Sequence, residues 1–278
     1  MDEATLDLSI VMPVYNEAGN LPKLLRELTA VLGPVDRSYE ILAINDGSTD
    51  DSLDVLRRLQ EEVPHLRIVN FRRNFGQTAA FAAGFDYAQG DIVVTIDADG
   101  QNDPADIPRL LETMGEGDYD IVSGWRRARK EPFLTRRLPS MVANRIISNM
   151  TGVELHDYGC SLKAYRSEVV KSIHLYGELH RFIPALAGRI GVRATEIPVT
   201  DRPREYGRSK YGLSRTVRVL LDLFVVTYLL SFSTRPIQLF GLLGLASSGV
   251  GVGIGTYLVG AKVVSGILMG PAGFRSYR

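Results

Sequence analysis

Along its first half the chain alternates short apolar runs with longer segments whose apolar residues recur at helical spacing. Residues 8–14, 40–44, 67–70, 92–96 and 120–123 are brief and rich in β-branched side chains, and predict strands. Residues 20–32, 51–62, 77–89 and 104–115 lie between them and predict helices. Nearly continuous apolar strands separated by helices predict a mostly parallel sheet covered on both faces, an α/β fold. Ligands of such sheets bind outside the carboxyl ends of the strands, where strand order reverses.

After Arg126 this alternation fades. Residues 133–150 read as an amphipathic helix, with Leu138, Met141, Val142, Ile146 and Ile147 on one side and arginines on the other. Residues 216–232 are more apolar, interrupted only by Arg218 and Asp222. Helices of this kind suit either a membrane interface or a packed core. Residues 236–261 hold 26 positions without a charge, bounded by Arg235 and Lys262. At about 1.5 Å per residue they extend ~39 Å, enough for a tilted crossing of a ~30 Å hydrocarbon layer. Their glycines permit close helix contacts in lipid and favour a homo-oligomer. The segment after Lys262 is apolar to Gly273, too short to cross alone, and reads as the start of a second span. The expected organisation is a large α/β domain of residues 1–132 and 151–200, with interface helices at 133–150 and 213–232. A loop at 201–212, a transmembrane helix at 236–261 and the onset of another at 263–278 complete it.

Charge sharpens this picture. The formal net charge of +0 conceals 23 Asp/Glu against 9 Lys/Arg in residues 1–120, a balance of −14, and the reverse, +14, in residues 121–278. A basic half predicts an anionic partner, nucleic acid or anionic lipid. Its cations fall in two stretches. Arg126, Arg127, Arg129, Lys130, Arg136, Arg137 and Arg145 form one; Arg202, Arg204, Arg208, Lys210, Arg215 and Arg218 form the other. Solvated helix faces would look the same, but the adjoining apolar span favours lipid. Aromatic residues are not interleaved as single-strand nucleic-acid platforms require, so no nucleic acid is expected. Cys160 is the only cysteine, which excludes an intrachain disulfide and fits a reducing compartment. The acidic start Met1-Asp2-Glu3 is unlike a signal peptide, and the arginines before Pro236 place the large domain on the cytoplasmic side.

The candidate chemistry sits where the strands are expected to end. Strand one closes in Val11-Met-Pro-Val-Tyr-Asn-Glu17, where Pro13 is expected to end sheet pairing and Tyr15 offers a face for a base. Strand two closes in Asn45-Asp-Gly-Ser-Thr-Asp-Asp51, with Asp46 ahead of the capping residues Ser48, Thr49 and Asp50. Asp46 suits turn chemistry or hydrogen bonds from a nucleobase or ribose. Arg72-Arg-Asn-Phe-Gly76 follows strand three, and Asp97-Ala-Asp99 follows strand four. Paired carboxylates there could be an acidic turn. They also suit Mg²⁺, which takes its remaining ligands from substrate phosphates and water. The four histidines are too scattered for a metal cluster, and His156 merely neighbours Asp157.

These motifs, in this order, resemble the inverting family 2 glycosyltransferases of GT-A fold. Asp157-Tyr-Gly-Cys-Ser-Leu-Lys-Ala-Tyr and Arg204-Glu-Tyr-Gly-Arg-Ser-Lys-Tyr211 are similar to the polyprenyl-phosphate branch, which includes dolichyl-phosphate mannose synthases and bactoprenol glucosyltransferases. The resemblance implies transfer of a hexose from a nucleotide-sugar donor to a polyprenyl phosphate at the cytoplasmic membrane face, with Mg²⁺ or Mn²⁺ and with inversion. It implies nucleotide contacts at Pro13, Tyr15, Glu17, Asp46 and Asp97, and metal ligands Asp97, Asp99 and Gln101. It implies phosphate or acceptor contacts at Arg126, Arg136, Ser140, Arg204 and Lys210, and catalytic positions at Asp99 and Asp157, the latter as base or as orienting group. The chain departs at Gly100, where relatives carry leucine or another larger residue. Arg-Asn-Phe-Gly-Gln and Gly-Arg-Ser-Lys-Tyr favour UDP-glucose; GDP-mannose is the alternative. A processive polysaccharide synthase would carry Gln-x-x-Arg-Trp, whereas the only tryptophan, Trp125, lies in Ser-Gly-Trp-Arg. A non-catalytic adaptor would not need the complete acidic and basic sets.

Overall fold

The computed structural model describes residues 6–127, 145, 147–149, 151–175, 177, 179–203, 225, 228 and 236–268. Five apolar runs form strands β1 (Leu6–Val14), β2 (Tyr39–Asn45), β3 (Leu66–Asn70), β4 (Gly90–Thr95) and β5 (Ile121–Trp125). The helices between them are α1 (Leu21–Leu32), α2 (Ser52–Glu62), α3 (Gln77–Tyr87) and α4 (Ile107–Gly117), the last preceded by a 3₁₀ turn at Pro104–Asp106. Two strands follow where the alternation was expected to fade, β6 (Lys163–Arg166) and β7 (Ala194–Pro198). Short helices α5 (Ser167–Ser172) and α6 (Ile183–Ala187) lie between these two.

The sheet order is β3-β2-β1-β4-β6-β5-β7. β1 pairs in parallel with β2 and β4, β2 with β3, and β5 with β7. β6 runs antiparallel to both β4 and β5. The chain winds outward through β1, β2 and β3, then returns to the other side of β1 as β4. Strand order therefore reverses between β1 and β4, which places the expected crevice at their carboxyl ends.

Pro13 does not end the strand. It stays in register with Ile44, and pairing to β2 continues to Val14 and Asn45. The ladder toward β4 closes with Val11 and Thr95, followed by the Ile96 amide donating to the Val11 carbonyl at 3.1 Å. A missing N–H costs nothing on the side where the partner strand has already diverged.

Side-chain alternation on β1 divides the core. Ile10, Met12 and Val14 pack with α1 and α4 residues such as Leu25, Leu28 and Leu110. Val11 faces the other way, with Phe81 and Phe85 of α3 and Tyr165 of β6. α3 approaches β1 so closely that a Cβ on Gly84 would lie 2.2 Å from Val11 Cγ1. A third cluster joins Ile147, Val153, Leu155, Tyr158 and Leu179. Most of the amphipathic segment 133–150 lies outside the described residues, but Ile147 at its end belongs to the protein core.

A second unit contains helix α7 (Pro236–Leu268, 33 residues). Residues Pro236–Val264 are long and apolar enough to cross a membrane, by length and composition. The helix continues past Lys262 to Leu268; the rest of the segment expected to begin a second span lies outside the described residues. Lysine has a favourable helix propensity and does not interrupt helical hydrogen bonding.

Two stability measurements test this packing. Gly84→Ala is expected to cost about 1–3 kcal/mol, because stiff Val11 cannot yield without shifting β1; an unchanged urea midpoint refutes the close approach. His180 is buried, with Nδ1 2.6 Å from Thr78 Oγ1, and burial pushes its imidazole down to about 3. The unfolded chain takes up that proton near pH ~6.5, so folded stability falls as pH drops from ~6.5 toward 3, by up to ~1.4 kcal/mol per pH unit. His180→Gln should flatten this acid decline relative to wild type in paired melts at pH 7.5 and 5.

Candidate active site

The carboxyl ends of β1, β2 and β4 and the first turn of α3 enclose a cleft of about 180 Å³. Its lining comprises Pro13, Val14, Tyr15, Glu17, Asp46, Asn74, Gly76, Gln77, Asp97, Ala98 and Asp99. Six residues expected to contact a nucleotide-sugar or cation thus share one cavity: Pro13, Tyr15, Glu17, Asp46, Asp97 and Asp99.

Its walls are built by loops that bond to one another. Asn16, in the left-handed region at φ 57, accepts from the Thr49 amide at 2.7 Å and donates its own amide to Ser48 Oγ at 3.0 Å. The Glu17 amide donates to Ser52 Oγ at 2.9 Å, and the Ala18 amide to Asp50 Oδ2 at 3.3 Å. Ser48 and Thr49, expected as caps, therefore tie the first loop to the second. Asp50 does both, since its Oδ1 accepts from the Ser52 amide at 3.0 Å. Gly47, at φ +63, lets the second loop meet the third: a Cβ there would lie 2.3 Å from the Arg73 carbonyl carbon. Buried Asp46 accepts from the amides of Phe75 at 2.7 Å and Gly76 at 2.9 Å, which fixes the entry to α3. Asp46 is thus an anchor of the third loop as well as part of the cleft wall.

Gln77, at the start of α3, donates through Nε2 to Asp97 Oδ1 at 2.7 Å. Burial, and the neighbouring Asp99 carboxylate, push Asp97 up to about 6, although a hydrogen bond from Ser161 and the charges of Arg126 and Lys163 oppose this. Two carboxylates that repel each other beside an open cleft fit a divalent cation that would relieve the repulsion. Among the described residues no set of three or more His, Cys, Asp and Glu could enclose a metal. The pair suits a hard cation completing its shell with phosphate and water, and not a closed structural site.

Asp157 and Arg126 meet as a fork. Arg126 donates through Nε to Asp157 Oδ2 at 2.9 Å and through Nη2 to Oδ1 at 3.2 Å. Burial opposes the guanidinium charge, but Asp157 outweighs it and holds Arg126 above its ordinary value. Below them lies Lys163, buried on β6, whose Nζ donates to the carbonyls of Tyr158 and Cys160. This ties down the turn that carries Asp157 and Ser161. Burial pushes the Lys163 ammonium below its usual value, and burial raises the Cys160 thiol to about 11, so the thiol stays protonated.

Gln101 is not among the residues lining the cleft. Its amide donates to Asp99 Oδ1 at 3.1 Å and its carbonyl accepts from the Arg202 amide at 2.8 Å. Gly100 has φ +73, a conformation a leucine would rarely adopt. Arg136, Ser140, Arg204 and Lys210 lie outside the described residues. His156 stacks on Trp125 with ring centroids 4.5 Å apart, and its Nδ1 pairs with Glu196. Asn74, Gly76 and Gln77 belong to the cleft but had been given no role. Their signal was available in the Arg-Arg-Asn-Phe-Gly-Gln run after β3. Lys163 lay within the Asp157-Tyr-Gly-Cys-Ser-Leu-Lys-Ala-Tyr run but had been given no role, because a lysine in a short apolar run gives no sign of being buried.

Comparisons with known proteins bear on the family and the fold. A family model described as glycosyl transferase family 2 matches residues 9–173. The dodecaprenyl-phosphate galacturonate synthase of Rhizobium johnstonii is 43% identical over 94% of this chain and 78% of its own length. The undecaprenyl-phosphate 4-deoxy-4-formamido-L-arabinose transferase of Klebsiella pneumoniae is 41% identical over 93% of this chain and 77% of its own length. A structure of glucosyl-3-phosphoglycerate synthase from Mycobacterium tuberculosis, with Mn²⁺ and uridine-diphosphate-glucose, superposes with a TM-score of 0.60 at 21% identity. It covers 79% of each chain and shares the GT-A arrangement of sheet and helices. With a model match across most of the catalytic fold and relatives aligned over nearly all of the sequence, the chain belongs to glycosyl transferase family 2.

Proposed function

We propose that the protein transfers a sugar from a nucleotide-sugar to a polyprenyl phosphate at a membrane surface, with inversion at the anomeric carbon. The observation that carries this reading is the acceptor: two relatives aligned over 94% and 93% of the chain have names that share a polyprenyl phosphate and differ in the sugar. Galacturonate and 4-deoxy-4-formamido-L-arabinose therefore stand beside the glucose favoured by the motifs as donors to test. Helix α7 supplies the membrane anchor, and the cytoplasmic face is the proposed side of the catalytic domain.

In the proposed mechanism Tyr15, Glu17 and Asp46 hold the nucleotide, while Asp97 and Asp99 hold Mg²⁺ or Mn²⁺ against the diphosphate. Bound there, the cation neutralises the departing diphosphate as Lewis acid and template. A phosphate oxygen of the acceptor bonds to the anomeric carbon as the bond to the diphosphate breaks, through an oxocarbenium-like state. The products are the polyprenyl-phosphate-sugar and a nucleoside diphosphate. A phosphomonoester has its second pKa near ~6 and arrives largely ionised, so the step needs no strong base. It needs a cation placed against a crowd of negative charge, and a forked guanidinium suits this. The Arg126–Asp157 geometry supports an orienting role for Asp157: its carboxylate aims Arg126, and Lys163 steadies the turn beneath.

Radiolabelled UDP-glucose, UDP-galacturonate, UDP-4-deoxy-4-formamido-L-arabinose and GDP-mannose, each incubated with one polyprenyl phosphate, test the reaction. One should label the lipid, and labelling by none refutes it. Asp99→Ala should lower cation-dependent transfer by at least about a hundred-fold with an unchanged circular dichroism spectrum; full activity in a chelator removes the cation role. Asp157→Asn should lower turnover about ten- to a hundred-fold while the pH–rate profile keeps its shape. Selective loss of the acidic limb would instead identify Asp157 as the base.

A further inference from the structure

Arg202 belongs to the basic stretch expected to face lipid, yet its side chain is committed within the protein. Nη1 lies 2.7 Å from Glu27 Oε2 on α1, and Nη2 lies 2.7 Å from Asp103 Oδ1. Nε donates to Asp103 Oδ2 at 3.1 Å, so Asp103 is gripped bidentately. Burial opposes the charge on Arg202, but the bonds to Glu27 and Asp103 outweigh it and hold the guanidinium above its ordinary value.

What Arg202 grips is the loop that starts at Asp99. The Arg202 amide bonds the Gln101 carbonyl at 2.8 Å, and Asn102 forms an isolated bridge with Asp201. Gly100 gives this loop no side chain to pack; the nearest atom to a Cβ built there is Asn20 Oδ1, at 4.0 Å. A cavity of about 20 Å³ has Asp99, Gly100, Glu27 and Arg202 in its walls. A loop with left-handed backbone at Gly100 and a void behind it depends on its hydrogen bonds for position.

We propose that Arg202 is a positioning residue, whose bridge from Glu27 to Asp103 holds loop 99–103 so that Asp99 faces the cation. This rests on the reading of Asp97 and Asp99 as the cation site. Isolated surface ion pairs contribute little, but partners behind a metal ligand set its orientation and govern affinity.

Direct Mn²⁺ titration of the full chain by water-proton relaxation, with uridine or guanosine diphosphate present, tests the bridge without turnover. Arg202→Met should weaken Mn²⁺ binding about ten-fold and speed amide exchange across residues 99–103. Arg202→Lys should recover only part of the affinity, because one ammonium cannot reproduce the planar fork. Glu27→Gln should weaken Mn²⁺ binding in the wild-type background and add little to Arg202→Met, and it reads the same bridge if the Arg202 variants fold poorly. Mn²⁺ affinity in Arg202→Met within about two-fold of wild type overturns the bridge, whether or not the melting temperature falls. Absence of Mn²⁺ binding by the wild-type chain overturns the cation reading, and this inference with it.

Discussion

Two carboxylates one residue apart, where a buried strand leaves its sheet, create a local excess of negative charge that the rest of the domain must contain. Asp97 carries that strain as a raised proton affinity, and the surroundings answer with Gln77, Arg126 and Lys163 on separate elements. The open side of the pair faces the cleft between β1 and β4. Cations and an amide thus stand behind the Asp97 carboxylate, while the cleft lies in front of the pair.

The sheet makes that arrangement possible. β1 is the hub, paired to β2 beyond Pro13 and to β4 only as far as Val11. The unequal lengths of these ladders open the crevice. α3 lies against β1 through Gly84, and so carries Gln77 to the rim. Hydrogen bonds between the first three loops then fix the wall from Tyr15 to Gly76. Packing sets the elements, and polar contacts between loops set the site.

Much of this was legible in the sequence. The first five strands could be read because their apolar runs are buried by helices on either side, and their motifs were legible because polar residues gather where those runs end. β6 and β7 escaped for opposite reasons. β6 has only four residues and begins with buried Lys163, a residue type that ordinarily signals solvent. β7 is an edge strand, half-buried to exposed throughout, so its apolar signal is weak. Arg202 was misread because charge along a sequence does not reveal whether a carboxylate waits in the fold. The anchoring of the third loop by Asp46 was not legible, because its backbone partners lie 29 and 30 residues away.

The antiparallel course of β6 has a further consequence. Ser123 of β5 lies directly opposite Lys163 of β6, so the stretch between these strands leaves and rejoins the sheet at the same rim. Its two ends therefore meet at that rim, which brings Arg126 and Asp157 within bonding reach although 31 residues separate them.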